Sequence, residues 1–236
     1  DWDTADLTQF LLWGAANETS FGQVSNGFAL WRGLRTLYHW RHRNTRTGSR
    51  RNIAAHYDLG NAFYGEWLDP SMTYSSAVFE SAEDSLETAQ RRKYQRLIDQ
   101  LEISAAHHVL EIGSGWGGFA IQAARQTGCR VTSITLSQAQ LVEARQRAWR
   151  AGVADRVTFE LMDYRDVSET YDRIVSIEMF EAVGEQYWPT YFEQVHDRLK
   201  PGGRAGIQVI TIEEPRFEDY CRSADFIQRY IFPGGM

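Results

Sequence analysis

Cysteine is nearly absent. Only Cys129 and Cys221 occur in 236 residues, so no disulfide framework holds the fold, and such sparse usage suits a reducing compartment. Proline is scarce too, at five. No run approaches the roughly 18 apolar residues of a membrane-spanning helix. Positive charge does not dominate: Lys plus Arg is 25 against 31 Asp plus Glu, a net charge of −6, which argues against a generally basic nucleic-acid binder. What is present is ordinary for a folded domain. Hydrophobic residues make up 43% and charged residues 24%, which excludes wholesale disorder and fibrous repeats. The length suits one large domain, or one domain with an appendage. No internal repeat, low-complexity tract or signal peptide is visible.

Acid is also missing locally. From Thr19 to Tyr57 there is no Asp or Glu, while Arg32, Arg35, Arg41, Arg43, Arg46, Arg50 and Arg51 fall there. Leu30, Trp31, Leu34, Leu37 and Tyr38 recur at helical spacing, predicting an amphipathic helix from about Gly27 to His42. Two readings stay open: the helix lies on anionic lipid, or it packs on the main domain with its arginines in water. The stretch RNTRTGSRR at 43–51 reads as a linker. The expected division is therefore an N-terminal helical, Arg-rich segment over 1–50 and a main domain over 51–236. The chain starts at Asp1 without Met and stops at IFPGGM, and is expected to be a fragment at both ends, so the main domain is expected to be C-terminally incomplete.

From residue 84 helical and strand patterns alternate. Helices are predicted at 85–101, 117–128, 137–152, 188–203 and 217–232, and strands at 108–113, 130–136, 157–163, 172–180 and 204–212. Asp84 or Ser85, and Ser137, are the expected N-caps, and Gly128 an expected C-cap. Such alternation predicts an α/β fold with a mostly parallel sheet and helices on both faces. Ligands of such sheets sit beyond the carboxyl ends of the strands.

The segment Glu111–Gly118, EIGSGWGG, follows the first predicted strand and opens a helix. It satisfies G-x-G-x-x-G with Gly113, Gly115 and Gly118, and glycine lets backbone approach a ligand without a Cβ clash. A dinucleotide would want a carboxylate about 20 residues on to hold its ribose. The second strand ends in Thr135-Leu136-Ser137, with none, which disfavours NAD. S-adenosylmethionine has no phosphate: its amino-acid end would use the glycine turn, and Gln140 could hold ribose hydroxyls. The plain alternative is a glycine turn that only packs a helix.

Seven ordered strings then carry a resemblance: HYDLGNAFYGEWLDPSMTYSSAVF at 56–79, TAQRRKYQRLI at 88–98, VLEIGSGWGGFA at 109–120, VTSITLSQAQ at 131–140, DRIVSIEMFEAVG at 172–184, RLKPGG at 198–203 and FIQRYIFPGGM at 226–236. Over roughly 51–236 the chain resembles the cyclopropane-fatty-acid synthase family, mycolic-acid-modifying members included. The resemblance implies a Rossmann-like class I methyltransferase that passes a methyl from S-adenosylmethionine to a cis double bond of a phospholipid's acyl chain. It implies that Tyr74, Ser75, Gly113 and Gly115 touch the cofactor's methionine part. Thr135, Leu136 and Gln140 would hold the ribose region, and Asp163 and Tyr164 would face the adenine.

The chemistry needs an olefin held in line with the sulfonium methyl in a dry pocket, and a stabilised carbocation. Tyr57, Phe63, Tyr64, Trp67 and Phe180 are candidates for cation–π stabilisation, each also readable as ordinary core. A base must then remove a proton. In cyclopropanating relatives a bound bicarbonate serves, held by a Cys, a Glu, a His, an Ile and a Tyr nearer the C-terminus, whose position is expected beyond Met236. Here the Cys position is Ser76, the Glu is Glu181, the fifth-strand His is Gln208, and the Ile is Ile210; the His that usually follows the Glu is Ala182. Gln donates hydrogen bonds but carries no charge. Either an altered bicarbonate site survives through Glu181 and Gln208, or Glu181 is itself the base, or Glu181 merely caps a helix. This departure favours methylation of an unsaturated lipid, with a cyclopropane, methylene or methyl-branched product, over obligatory cyclopropane closure.

The implied partners are phospholipid acyl chains at a membrane surface, with a second copy of the chain or a reductase as further candidates, no nucleic acid and no metal. The implied place is cytoplasmic and peripherally membrane-associated. The rival readings are a small-molecule N- or C-methyltransferase, with Glu178 or Glu181 facing an amine, and a cofactor-binding subunit that needs a partner.

Overall fold

The computed structural model describes residues 3–17, 45, 48, 60–215 and 217. The predicted helices at 27–42 and 217–232, and Tyr57, lie outside them. The chain divides into two compact units, Asp1–Arg41 and His42–Met236. In the first, helix α1 (Leu7–Ala16) starts at Asp6, whose carboxylate accepts from the Gln9 N–H at 3.0 Å. Sequence periodicity did not predict α1.

In the second unit, short helix α2 (Gly60–Gly65) precedes α3 (Leu86–Gln100). Strand β1 (His108–Ile112), helix α4 (Gly118–Thr127), β2 (Arg130–Thr135), α5 (Gln138–Arg150), β3 (Val157–Leu161), β4 (Tyr171–Ile177), α6 (Trp188–Asp197) and β5 (Leu199–Gln208) follow. The five strands form one sheet in the order β3-β2-β1-β4-β5, and every pair is parallel. The strand order reverses between β1 and β4, so the switch point lies at the carboxyl ends of those two strands.

Both faces of the sheet are covered, as a parallel sheet requires. Val109, Val131 and Val175 pack with Tyr94, Phe119 and Ala144 on the side of α3, α4 and α5. Leu110, Ile112, Ile134 and Ile174 pack with Tyr191 and Val195 of α6 on the other. The caps follow the sequence: Ser85 accepts from Thr88 N–H, Ser137 accepts from Gln140 N–H, and Gly128 closes α4 at φ 72°.

Two expectations need correction. The helix predicted over 188–203 stops at Asp197, because Pro201 cannot continue it and the chain joins β4 instead, Leu199 pairing with Tyr171 and Arg204 with Arg173 on either side of the Lys-Pro-Gly-Gly stretch. The fifth strand therefore starts at Leu199, with a register irregularity opposite Tyr171–Arg173, and ends at Gln208. Residues 209–212 lie past its end.

Glu111 stands in the middle of β1, 3% exposed, with the Ser133 hydroxyl donating to its carboxylate. Burial pushes its pKa up to about 8. A raised acid binds its proton more tightly in the folded chain, so its contribution is full below the ordinary carboxylate range and is lost as pH rises toward 8. Urea unfolding at pH 5.5 and 7.5 is expected to show the parent losing on the order of 1 kcal/mol per pH unit relative to Glu111→Gln. Parallel pH profiles for the two proteins would refute this.

Candidate active site

The glycine turn joins β1 to α4 at the switch point. The N–H groups of Gly113 and Ser114 both donate to the Ile134 carbonyl, at 3.0 and 2.9 Å, which pins the turn to β2. Gly113, Gly115 and Gly117 all have positive φ, at 95°, 48° and 87°. They serve different ends. A Cβ on Gly117 would come within 2.9 Å of the Phe159 ring, so protein packing requires that glycine. A Cβ on Gly115 would meet nothing within 4 Å, so the space over that glycine is open.

Across the turn, α5 begins with a polar relay. Thr135 Oγ1 donates to Gln140 Oε1 at 3.0 Å and accepts from the Ser137 N–H at 3.1 Å. Gln140 is 3% exposed, yet its Nε2 is buried with no hydrogen-bond partner among the described residues. An amide held by its oxygen with its NH2 unmatched is a donor placed for a ligand oxygen. Leu136, half-buried, lies between β2 and α5. The open space at Gly115 and the unmatched amide of Gln140 fit a ligand with an amino-acid end and ribose hydroxyls, as the resemblance implies.

Asp163 and Tyr164 lie just past β3. The buried Asp163 carboxylate caps the 3-10 turn Tyr164–Asp166 and holds Arg165 through both oxygens, at 2.8 and 2.6 Å. Arg165 in turn lies over the rings of Tyr164 and Tyr187. Tyr164 packs edge-on against Tyr191, and burial raises its pKa.

The segment before α3 is folded by Asp69, a residue sequence reasoning passed over. Its carboxylate accepts from the Ser71 and Thr73 N–H groups at 2.8 and 3.1 Å. That turn presents Tyr74, Ser75 and Ser76 in succession. Tyr74 sits edge-on to Tyr64 and Trp67, which join Phe63 and Trp116 in one aromatic cluster. Trp116, from the glycine turn itself, is anchored by Asn61 at 2.8 Å. Phe180 belongs to a different group, with Trp188, Tyr191 and Phe192. The five aromatic candidates thus do not form one wall: three cluster beside Tyr74, Phe180 stands apart, and Tyr57 is outside the described residues.

Lys93 was also missed. It is 2% exposed and donates to Ser75 Oγ at 2.6 Å, while Gln90 Nε2 donates to the Ser75 carbonyl at 2.7 Å. Burial lowers the Lys93 pKa to about 8, partly offset by Glu178 and Asp69. A lysine on the core-facing stripe of α3 is the signal that could have flagged it, since buried lysines need partners.

Ser76, Gln208, Glu181 and Ile210, predicted together, do meet at the ends of β4 and β5, but through two carboxylates. Glu178 Oε1 accepts from Ser76 N–H at 3.0 Å, from Ser76 Oγ at 2.5 Å and from Gln208 Nε2 at 2.9 Å. The Glu178 N–H donates back to the Gln208 carbonyl at 2.8 Å. Glu178 sits at φ 48°, an uncommon conformation for a residue with a side chain. Glu181 Oε1 accepts from the Ile210 N–H, while its buried Oε2 has no partner among the described residues. Burial raises the Glu181 pKa, the Ile210 N–H opposes that, and the nearby Glu178 charge adds to it. The Ile210 side chain is 67% exposed, so its part here is its backbone. Among the described residues no three His, Cys, Asp or Glu side chains are placed to hold a metal, and no helix is long and apolar enough to cross a membrane.

These features have counterparts in known proteins. The chain is 46% identical over 200 residues to the tuberculostearic acid methyltransferase UfaA1 of Mycobacterium tuberculosis, covering 82% of this chain and 47% of that protein. It is 38% identical over 180 residues to the cyclopropane-fatty-acyl-phospholipid synthase of Escherichia coli, covering 76% of this chain and 45% of that one. The chain thus spans about half the length of the curated relatives it matches. Among solved structures, the mycolic acid cyclopropane synthase CmaA1, complexed with SAH and CTAB, superposes with a TM-score of 0.73 at 30% identity, over 79% of this chain and 68% of that one. The cyclopropane synthase MmaA2 from Mycobacterium tuberculosis gives 0.71 at 31% identity, over 79% and 69%. The sequence pattern of one family matches residues 44–236, and with the switch-point geometry it settles the assignment: the chain belongs to the mycolic acid cyclopropane synthetase family.

Proposed function

We propose that the chain is the catalytic part of an S-adenosylmethionine-dependent methyltransferase that acts on the cis double bond of a phospholipid's acyl chain. The observation that carries this reading is the open space over Gly115 in the glycine turn at the switch point, with the unmatched buried amide of Gln140 at the start of α5 as a second support. Relatives named for modifying fatty acyl, mycolic and sphingolipid chains support the lipid substrate.

Bound there, the cofactor supplies an electrophilic methyl. The chain's own residues do the rest. Gly115 would admit the methionine end beside Gly113, whose own Cβ position lies against Met179. Ser75, held by Lys93 and Gln90, and Tyr74 would flank it, and Thr135, Leu136 and Gln140 would take the ribose. Asp163 and Tyr164 border the adenine side. Phe63, Tyr64 and Trp67 offer rings that would stabilise a developing cation. The Arg-rich stretch over 32–51 supplies attraction to anionic headgroups, so the protein works peripherally at a cytoplasmic membrane surface. A reading as a small-amine methyltransferase would turn the second oxygen of Glu178 or Glu181 toward the amine, since each spends only one oxygen on donors of the chain itself, and the labelling test decides between the two.

The test uses methyl-labelled cofactor with vesicles of cis-unsaturated phospholipid, and with a panel of small amines. Label in the extracted lipid, followed by NMR to separate cyclopropane, methylene and methyl-branched products, is the expected result. Label in an amine and none in lipid would replace the reading. Cofactor binding without any transfer, restored by a second protein such as a reductase, would recast the chain as a subunit.

A further inference from the structure

The donors of Ser76, Gln208 and Ile210, three of the residues expected to grip a bicarbonate, are already occupied. Ser76 N–H, Ser76 Oγ and Gln208 Nε2 all donate to one oxygen of Glu178, and the Ile210 N–H donates to Glu181. We propose that Glu178 is the resident base of this active site, its side-chain carboxylate filling the place of a free bicarbonate.

Three observations converge on this residue. It follows β4 directly, at the carboxyl end of a switch-point strand. Its backbone is held at φ 48° and stitched to the end of β5, so its carboxylate is aimed rather than loose. All of its donors sit on Oε1, which leaves Oε2 without a hydrogen bond among the described residues. Its charge also reaches Tyr74, Lys93 and Glu181, which places it among the groups assigned to cofactor and reaction.

Three donors fix the direction of the carboxylate, and a weak base suffices, because the hydrogens of a carbocation are strongly acidic. The step balances simply. For cyclopropane closure a C–H bond of the transferred methyl breaks and its electron pair joins that carbon to the cationic carbon. For the methylene product the hydrogen of the methyl-bearing carbon first shifts with its electron pair to the cationic carbon, and a methyl C–H next to the new cation then breaks to form the C=C bond. The proton passes to Glu178 Oε2, from which solvent removes it. A carboxylate tethered to the backbone approaches from one fixed direction, whereas a free anion can shift, so Glu178 also restricts which hydrogen leaves.

This inference rests on the lipid-methylating reading, and its test separates the two. The first arm needs no substrate. Carbon-13 NMR of labelled bicarbonate is recorded with the parent and with Glu178→Gly, a variant suited to this backbone because glycine accepts φ 48° freely. The parent is expected to bind none. Glu178→Gly is expected to bind bicarbonate on the vacated Ser76 and Gln208 donors, with cofactor affinity by calorimetry unchanged as the folding control. In the second arm, turnover on cis-unsaturated vesicles should fall roughly a hundredfold in both Glu178→Gly and Glu178→Gln. Added bicarbonate should restore about tenfold in the glycine variant alone, since the glutamine side chain still fills the site. Bicarbonate binding by the parent, no binding by Glu178→Gly, or a Glu178→Gln rate within about twofold of the parent, roughly 0.4 kcal/mol, each overturns the assignment. A parent that transfers no label to lipid sinks the lipid reading, while the NMR arm still decides who fills the anion site.

Discussion

Gly115→Val is expected to cut cofactor affinity on the order of a hundredfold, about 3 kcal/mol at roughly 1.4 kcal/mol per decade. Two separate costs act at this position. Its φ of 48° is left-handed, which strains any L side chain by about 1–2 kcal/mol, more for a β-branched one. That strain lowers the stability of the chain, and a thermal melt reads it. The second cost appears only with ligand. A Cβ here meets no protein atom within 4 Å, so its methyls project into the space the ligand's amino-acid end would occupy. Gly115→Ala shares the backbone strain with less bulk, so a valine variant that binds far more weakly than the alanine one, at similar melting temperature, isolates the steric part. Calorimetry that gives the valine variant the parent's affinity would take the glycine turn out of the cofactor site. Gly117 makes a useful contrast: its Cβ would strike Phe159, so substitution there is expected to damage folding before binding.

Glu181→Gln is expected to lower turnover at least tenfold, about 1.4 kcal/mol of barrier, with cofactor affinity unchanged. The carboxylate receives the Ile210 N–H on Oε1 and keeps a buried Oε2 with no donor among the described residues. An amide must put its NH2 in one of those two places. Against Ile210 it sets donor on donor; at the other position it buries two N–H groups without an acceptor, at about 1–3 kcal/mol. In the first case the segment after β5 loses its hold on the strand ends; in the second it keeps the Ile210 bond beside a buried, unpaired NH2. Added bicarbonate should not rescue this variant, because the Ser76 and Gln208 donors stay filled by Glu178. A rate within about twofold of the parent would remove Glu181 from the mechanism.

The strand–turn–helix frame of the site was legible because its signals are local. A short apolar run closed by glycine gave β1, a β-rich run gave β2, serine caps gave the starts of α3 and α5, and Gly128 gave the end of α4. Helix α1 and the onset of β5 were not legible. The first lacks an amphipathic stripe, with Leu11, Leu12 and Trp13 consecutive, and the second begins in Lys-Pro-Gly-Gly, which reads as a stop. The grip of Asp163 on Arg165 was not legible either: a carboxylate buried at 2% exposure needs a charged partner, and the sequence does not show the burial.

By itself the sequence determined the alternation of strands and helices, the family, and the residue types gathered at the strand ends. Each of these depends on spacing along a few residues or on motif identity. Only the tertiary structure decided which groups pair. Ser76 and Glu178 are 102 residues apart, and Glu178 and Gln208 are 30 apart. Their meeting follows from β4 and β5 lying side by side and from Asp69 turning the Tyr74–Ser76 segment over the strand ends. Whether a donor faces solvent, a bound anion or the chain's own carboxylate depends on that convergence, which no local pattern encodes.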